Sequence, residues 1–596
     1  MLHSFESINP KAKQHVWRAQ MLRKLPARWS RIIGRRIERM DIKSKAWLDG
    51  NTYLRENVAA YADCVFPLDA SLSDIREAAL RRALDAADLA ERLGSMVAII
   101  PALGELCRRW GVALPSAKTP GGIVARCIDP SWWGRRLRAT HGRKTEAMAI
   151  RLGLVSGKRD KYLSEENRRR GSAQQTRNGE AMARTLAVNE DGEIYTLAQL
   201  IEKSVSSPAI RRGELMLRMR GMEEVGKEYG CAVEFAVVTP SSRFHAVRGN
   251  GSANENYDSS TPRDAHAYLQ NQWVKCRSWL HRRGVAFYGM RTVEAHKDGT
   301  PHWNLMVFLR NPKHVALWRE ALETYFLLPD NPLEPGALEH RCRFEEVTEA
   351  KGGATGYIAK YISKNVDGYG MTEDLAGDPI IESAQRVGLW AKLHGIRQFQ
   401  PIAGGAPVTV WRELRRIDGA ALAGAPDCLQ RAWIAAQRMP HLKEGDAEKR
   451  ADYAEFMRAC GGPWIKRKER ALWLHQTEQD GIGRYGEPLG MRAAGVVARG
   501  TVHEDKGGAV GVVAFEAVRS VLSVRRQWTI VKNADARFLG LDAGTASSRT
   551  RVNNCTQAPS AHSAPVEWDE NLKGWLADFD AAHAPHTAGR GQTWMQ

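Results

Sequence analysis

Between Val233 and Asn365, short apolar runs alternate with amphipathic stretches in an order that few folds accommodate. Val233–Thr239 (VEFAVVT) is an apolar run closed by Pro240-Ser241-Ser242, which reads as a strand entering a turn. Pro262–Arg283 places Tyr268, Trp273, Trp279 and Leu280 at helical positions. Ala286–Glu294 and His302–Leu309 are two strands separated by AHKDGTP, whose Asp298-Gly299 is a hairpin signal, so the pair should run antiparallel. Lys313–Phe326 reads as helix and Arg341–Val347 as strand. A glycine-bearing entry at Lys351–Gly356 then leads into a helix over Tyr357–Asn365. Strand, helix, strand, strand, helix, strand, helix describes an α+β fold with a mainly antiparallel sheet sandwiched by helices.

The flanks carry a different texture. A chain of 596 residues exceeds what one hydrophobic core can organise, so three or four domains are expected. Residues 1–185 read as a helical N-terminal domain, with Ser71–Leu93 apolar at helical spacing and Ser71 or Ser73 as its cap. A helical connector over 186–229 follows, with helix from 195 to 228 broken at Pro208. The α+β domain occupies 230–425, and 426–596 forms a mixed accessory region with a flexible Ala/Gly/Ser/Thr-rich stretch at 540–565. The basic clusters around Trp132-Trp133 and at Arg168-Arg169-Arg170 read first as solvated helix faces with buried tryptophans.

The net charge of +19 and pI near 9.6 suit a polyanionic partner, because each Lys or Arg placed on a phosphate releases counterions. Nine cysteines are scattered without a C-x-x-C pair, which indicates neither a zinc module nor a disulfide framework. With no apolar run long enough to span a bilayer and no apolar segment near Met1, the expected compartment is the cytoplasm.

Two segments carry chemistry. In GYIAKYISKN (356–365), Tyr357, Lys360, Tyr361 and Lys364 fall at i, i+3, i+4 and i+7, on one helical face. A core avoids lysine, and a solvated face gains little from paired tyrosines. A phenolate, by contrast, is a competent nucleophile towards phosphorus once cations offset its pKa of about 10. In EAHKDGTPHWN (294–304), His302 and Asn304 share a strand face, and the hairpin brings Glu294 beside His302. Carboxylate, imidazole and amide oxygen then converge in a workable set for Mg²⁺ or Mn²⁺.

Taken in order, FAVVTPSSRFHA (235–246), DGTPHWN and GYIAKYISKN resemble the replication gene A proteins of P2-like bacteriophages, members of the HUH endonuclease superfamily. The resemblance runs from the helical N-terminal part through AIRRGELMLRMRG (209–221) to VTVWRELRR (408–416) and fades beyond. It implies Tyr357 and Tyr361 as nucleophiles, Glu294 and His302 as metal ligands, and Lys360 and Lys364 as groups steadying the phosphate or phenolates. Asn304 stands where the family has a second histidine, a weaker ligand; His296 would compensate only if the hairpin loop folded inward, which is not expected. The implied activity is nicking of a replication origin with a covalent 5′-phosphotyrosine, which initiates rolling-circle replication. Implied partners are origin DNA, single-stranded at the nick and stacking on tryptophans such as Trp303, and a host helicase and polymerase. Two other readings stand beside it: an HUH-type transposase or relaxase, or a DNA-binding protein that has lost nicking, with Asn304 as its mark.

Overall fold

The computed structural model describes residues 10–44, 47–58, 66–349, 352–371, 379–437, 439–444, 447–449, 451–504 and 510–532. At its centre lies a five-stranded antiparallel sheet ordered Cys342–Glu346, Ala232–Val238, Pro301–Leu309, Phe287–Ala295, Phe399–Ile402. The hairpin of the two long strands closes through Asp298-Gly299, with Gly299 at φ 86° and its amide bonded to the His296 carbonyl at 2.8 Å. Its register sets Glu294 opposite His302 and Thr292 opposite Asn304.

Alternation sorts the sheet's side chains into two cores. Phe235, Tyr288, Met290, Met306 and Phe308 pack under helices Pro208–Glu228, Gly353–Val366, Val408–Leu414, Asp427–Ala436 and Tyr453–Ala459. Val238, Val293, Trp303, Leu305 and Val307 pack under Pro262–Arg282, Val315–Leu322 and Ile380–His394. This is the expected α+β sandwich. Close approach on the first face depends on two glycines of the Pro208–Glu228 helix. A Cβ on Gly226 would lie 2.6 Å from the Phe308 ring, and one on Gly221 would lie 2.7 Å from the Ala454 amide nitrogen.

Several expectations need revising. Pro208 opens a helix at its first turn instead of breaking one, where its missing N–H costs nothing. Ahead of it, Thr185–Asn189 and Ile194–Thr196 pair as strands where helix was expected from 195. The helix at 313–326 is α-helical only over Val315–Leu322, flanked by a 3-10 turn and a π-turn. Beyond 470, where helices and loops were expected, Leu472–Ile482, Pro488–Glu504 and Val510–Leu522 form a three-stranded antiparallel sheet. Its glycines and charged residues blur the two-residue apolar alternation. Trp528–Lys532 returns to pair with Thr185–Asn189. The stretch 540–565 lies outside the described residues. Among the described residues no helix is long and apolar enough to cross a membrane.

The N-terminal helices are fastened to the sheet's second layer. Helices Pro130–Arg151 and Glu165–Arg184 meet Ile380–His394 through Arg143 to the Leu393 carbonyl (2.9 Å) and Arg386 to Glu165 (3.0 Å). Between them, the segment 152–163 reaches the hairpin turn, where the Tyr162 amide donates to the Lys297 carbonyl at 3.0 Å. Glu146 holds this junction: its fully buried carboxyl accepts from the Ser164 amide (2.9 Å), the Ser164 hydroxyl and the Asn167 side chain (2.7 Å).

Burial pushes the Glu146 carboxyl up to about 7, overriding those hydrogen bonds. A raised carboxyl stabilises the fold below its unfolded value of about 4.5 and loses that contribution as pH rises through about 7. Thermal melts should therefore show stability falling by roughly 3 kcal/mol from pH 4.5 to 7 on account of this group. Glu146→Gln should abolish that part of the decline; an unchanged pH profile would contradict the assignment.

Candidate active site

The tyrosine helix Gly353–Val366 begins at a tight backbone entry, with Gly352 at φ 77° and Gly353 at φ 64°. Its first amides are orphan donors, and a neighbouring helix supplies the acceptor. The buried Glu223 carboxylate takes the Ala354 amide (3.1 Å), the Thr355 amide (2.9 Å) and the Thr355 hydroxyl. A Cβ on Gly353 would collide with that carboxylate. Nothing in the local sequence marks Glu223 for this task, because it lies in another helix.

From this entry the helix runs across the sheet face that carries the hairpin's polar residues. The rings of Tyr357 and Tyr361 stack 6.1 Å apart, and Phe235 from the neighbouring strand lies 4.5 and 5.4 Å from them. Tyr357 is buried and its hydroxyl donates to Glu345 on the edge strand; Tyr361 stays partly reachable from solvent. Burial first, then Tyr361 and Glu345, push the Tyr357 phenol well above its ordinary value. Burial, Glu294 and Glu345 do the same to Tyr361. Both phenols therefore rest protonated. The two lysines do not lie free beside them: Lys360 is buried, and Lys364 is buried with its ammonium 3.7 Å from Glu294.

Glu294 is the hub of the hairpin side. His302 Nε2 lies 3.3 Å from its carboxylate, the Asn304 amide donates to it at 3.2 Å, and Asn365 of the tyrosine helix donates at 2.6 Å. Burial alone would raise this carboxyl, but the Lys364 charge and the His302 and Asn365 contacts outweigh it and hold it ionised. Glu294, His302, Asn304 and Lys364 thus meet at one point, with Tyr357 and Tyr361 on the same helix as Lys364. Glu345 and Asn365 join them unforeseen; strand pairing between the edge strand and Ala232–Val238 places the first, and the helix turn after Tyr361 places the second.

The hairpin loop does fold inward. The His296 ring sits 4.3 Å from His302, with His245 5.3 Å beyond and bonded to Asp298 at 2.8 Å. Burial and the neighbouring His302 and His245 keep His296 neutral, and among the described residues its buried Nε2 has no hydrogen-bond partner, nor has His302 Nδ1. Among the described residues no three His, Cys, Asp or Glu side chains form a ready metal cage. Glu294 and His302 nonetheless offer adjacent donors, and two imidazole nitrogens remain unspent. A hard cation that completes its shell with water and phosphate oxygens needs no more than this. Trp303 is fully buried on the opposite face, donating to His266 at 3.3 Å, so it offers no surface for base stacking.

The hairpin, the tyrosine helix and four of the sheet's five strands lie within residues 89–369, which match the family described as bacteriophage replication gene A protein. Over a longer stretch the chain is similar to individual phage and prophage replication proteins. In particular it is 35% identical to the replication gene A protein of Escherichia phage 186 over 446 residues, 73% of this chain and 60% of that protein. It is 33% identical to the replication protein of Haemophilus phage HP1 (73% and 52% covered). A probable replication endonuclease from a prophage-like region of Salmonella typhimurium is 30% identical over 514 residues (84% and 59%). The chain spans between half and three fifths of these relatives' lengths. No solved structure matches.

Gly353→Ala should loosen the helix entry, since the added methyl meets Glu223 and the backbone there is left-handed. Glu223→Ala should cost about 1–3 kcal/mol by leaving buried amides unpaired. In hydrogen exchange, both should speed the amides of residues 354–357 ahead of the sheet; uniform protection would rule out the carboxylate as the cap.

Proposed function

We propose that this chain is a site-specific, metal-dependent DNA endonuclease and strand transferase. It nicks one strand at a replication origin, joins a tyrosine to the 5′ phosphate and initiates rolling-circle replication of phage DNA. The observation that carries this reading is the pair of stacked phenols, 6.1 Å apart on one helix, flanked by Glu345 on one side and the Glu294–His302 hairpin on the other. The names of the relatives, a replication gene A protein and a probable replication endonuclease, support the replication and nuclease parts.

In this mechanism the phenol oxygen attacks the scissile phosphorus while its proton passes to a carboxylate, for Tyr357 the hydrogen-bonded Glu345. The bond from phosphorus to the 3′ oxygen breaks, and that oxygen takes up a proton and leaves as a primer terminus. The phosphotyrosine ester conserves the bond energy, so the 3′ hydroxyl can later reverse the step. The second tyrosine can cut the regenerated origin while the first still holds the old 5′ end. A bound Mg²⁺ or Mn²⁺ supplies positive charge to the phosphate oxygens. Glu294 and His302 would hold it, with the unspent nitrogen of His296 a better third donor than Asn304, whose neutral amide oxygen is a weaker ligand than imidazole. Lys364 holds the Glu294 carboxylate in its charged form.

Metal binding is tested by calorimetry with Mn²⁺. His302→Ala should abolish binding, His296→Ala should weaken it about tenfold or more, and Asn304→Ala should change it least. Equal losses at 296 and 304 would return the third position to Asn304, and undiminished binding by His302→Ala would overturn the metal site.

The tyrosines are tested by trapping a 5′-labelled origin oligonucleotide and locating the adduct by mass spectrometry. Tyr357→Phe and Tyr361→Phe should each retain some adduct and fail a full replication cycle; the double variant should form none yet bind DNA. Tyr361 is the phenol partly reachable from solvent while Tyr357 is buried, so Tyr361→Phe should slow the first cut more. Glu345→Gln should slow adduct formation at neutral pH. Its remaining rate should climb towards tenfold per pH unit, because the phenols themselves must then ionise. An adduct outside this helix, or capture of DNA by the double variant, would refute the mechanism.

A further inference from the structure

Away from the tyrosine site, the helix Ala27–Ser44 turns one face towards the segment 152–163, and together they border an open cavity of about 310 Å³. Its lining is Ile32, Arg35, Arg36, Arg39, Met40, Lys43 and Arg159, five cations without a carboxylate. On the helix, Arg35, Arg39 and Lys43 follow one another at four-residue intervals, a like-charge row that disfavours the helix carrying it. Among the described residues none of the five is in an ion pair, whereas the nearby acids are already matched. Asp41 holds Arg18, and Asp160 and Glu166 hold Arg28. Glu38 is exposed and lies outside the lining. Arg36 is the one cation with a structural task, bonded to the Tyr53 hydroxyl at 2.6 Å and the Leu152 carbonyl at 2.7 Å. Arg35, Arg39, Lys43 and Arg159 are exposed.

The cavity is also joined to the nicking hairpin through cationic residues. Lys158, next to Arg159, lies over Gly251, and the Lys297 side chain at the hairpin turn lies over Gly157. Tyr162 then bonds the hairpin backbone at Lys297. From Arg35 to Lys43 the helix spans about 12 Å, longer than one phosphate and on the scale of several successive phosphates of one strand. Among the described residues no aromatic ring lines the cavity, which fits recognition of the backbone and not of bases.

We propose that this cavity is a phosphate cradle that grips the DNA strand on which the hairpin site acts, using Arg35, Arg39, Lys43 and Arg159 as sequence-independent contacts. The inference rests on the reading that the substrate is DNA, but not on the tyrosine chemistry. It is tested with the full chain by fluorescence anisotropy on labelled single-stranded and duplex oligonucleotides across a salt series.

The variant Arg35→Gln/Arg39→Gln/Lys43→Gln/Arg159→Gln should bind at least tenfold more weakly at low salt. Its slope of log affinity against log salt should shrink by about 3 for a single strand, or nearer 4 for a duplex. A control with the same loss of charge, Arg81→Gln/Arg92→Gln/Arg108→Gln/Arg109→Gln, removes exposed arginines that already pair with acids on their own helices and should leave the slope almost unchanged. Arg35→Lys/Arg39→Lys/Arg159→Lys keeps the charges and should keep the slope, which separates lost contacts from a misfolded helix. Equal effects of cradle and control sets would overturn the proposal. So would tight binding of tripolyphosphate abolished by the cradle variant with the DNA slope intact, since the cavity would then hold a small polyanion. Adduct trapping is read separately, so failure of the cradle and failure of the nicking mechanism give different results.

Discussion

The Glu223 carboxylate, set against the first amides of the helix Gly353–Val366, is the contact on which the site's geometry turns. It neutralises orphan donors where the helix dipole is positive and fixes the helix's starting point over the sheet. Tyr357, Tyr361, Lys364 and Asn365 all take their positions from that start. Because Gly221 and Gly226 let the helix bearing Glu223 settle closely against the sheet and against Tyr453, the cap and the sheet behave as one rigid reference. The hairpin residues are then placed by strand register alone, so two independent constraints converge on Glu294.

The electrostatics around Glu294 explain why so many polar groups tolerate burial together. An ionised carboxylate in a dry interior is costly unless it is hydrogen-bonded and matched in charge. Here one lysine, two amides and an imidazole surround it, drawn from both the sheet and the tyrosine helix. The cluster therefore does two things at once: it docks the helix on the hairpin and holds a negative charge near enough to raise the Tyr361 phenol.

Much of this was legible in the sequence, for identifiable reasons. The short strand-like runs Ala286–Glu294 and His302–Leu309 and the Asp298-Gly299 turn between them marked the hairpin, hence the meeting of Glu294 with His302. The helical spacing of the two tyrosines gave their stacking. What stayed hidden came from contacts distant in the chain. Glu345 reaches Tyr357 through an edge-strand pairing, Glu223 caps from another helix, and the inward fold of His296 depends on packing beneath the 152–163 segment. Trp303 was misjudged because its neighbours face the site; alternation sends it to the other side. The sheet beyond 470 escaped because glycines and charges interrupt its pattern.

The pairing of Trp528–Lys532 with Thr185–Asn189 bears on how such a chain comes into being. These two strands lie about 340 residues apart in the chain, and contacts of such long sequence separation form late. As the polypeptide leaves the ribosome, the helical N-terminal part and the central sheet can fold while the strand Thr185–Asn189 keeps one edge open, waiting for its partner. Glu487 adds a second late tie, bonding Arg126 at 2.6 Å. The last described strand thus acts as a latch, and synthesis through residue 532 completes the final structure of a segment made long before.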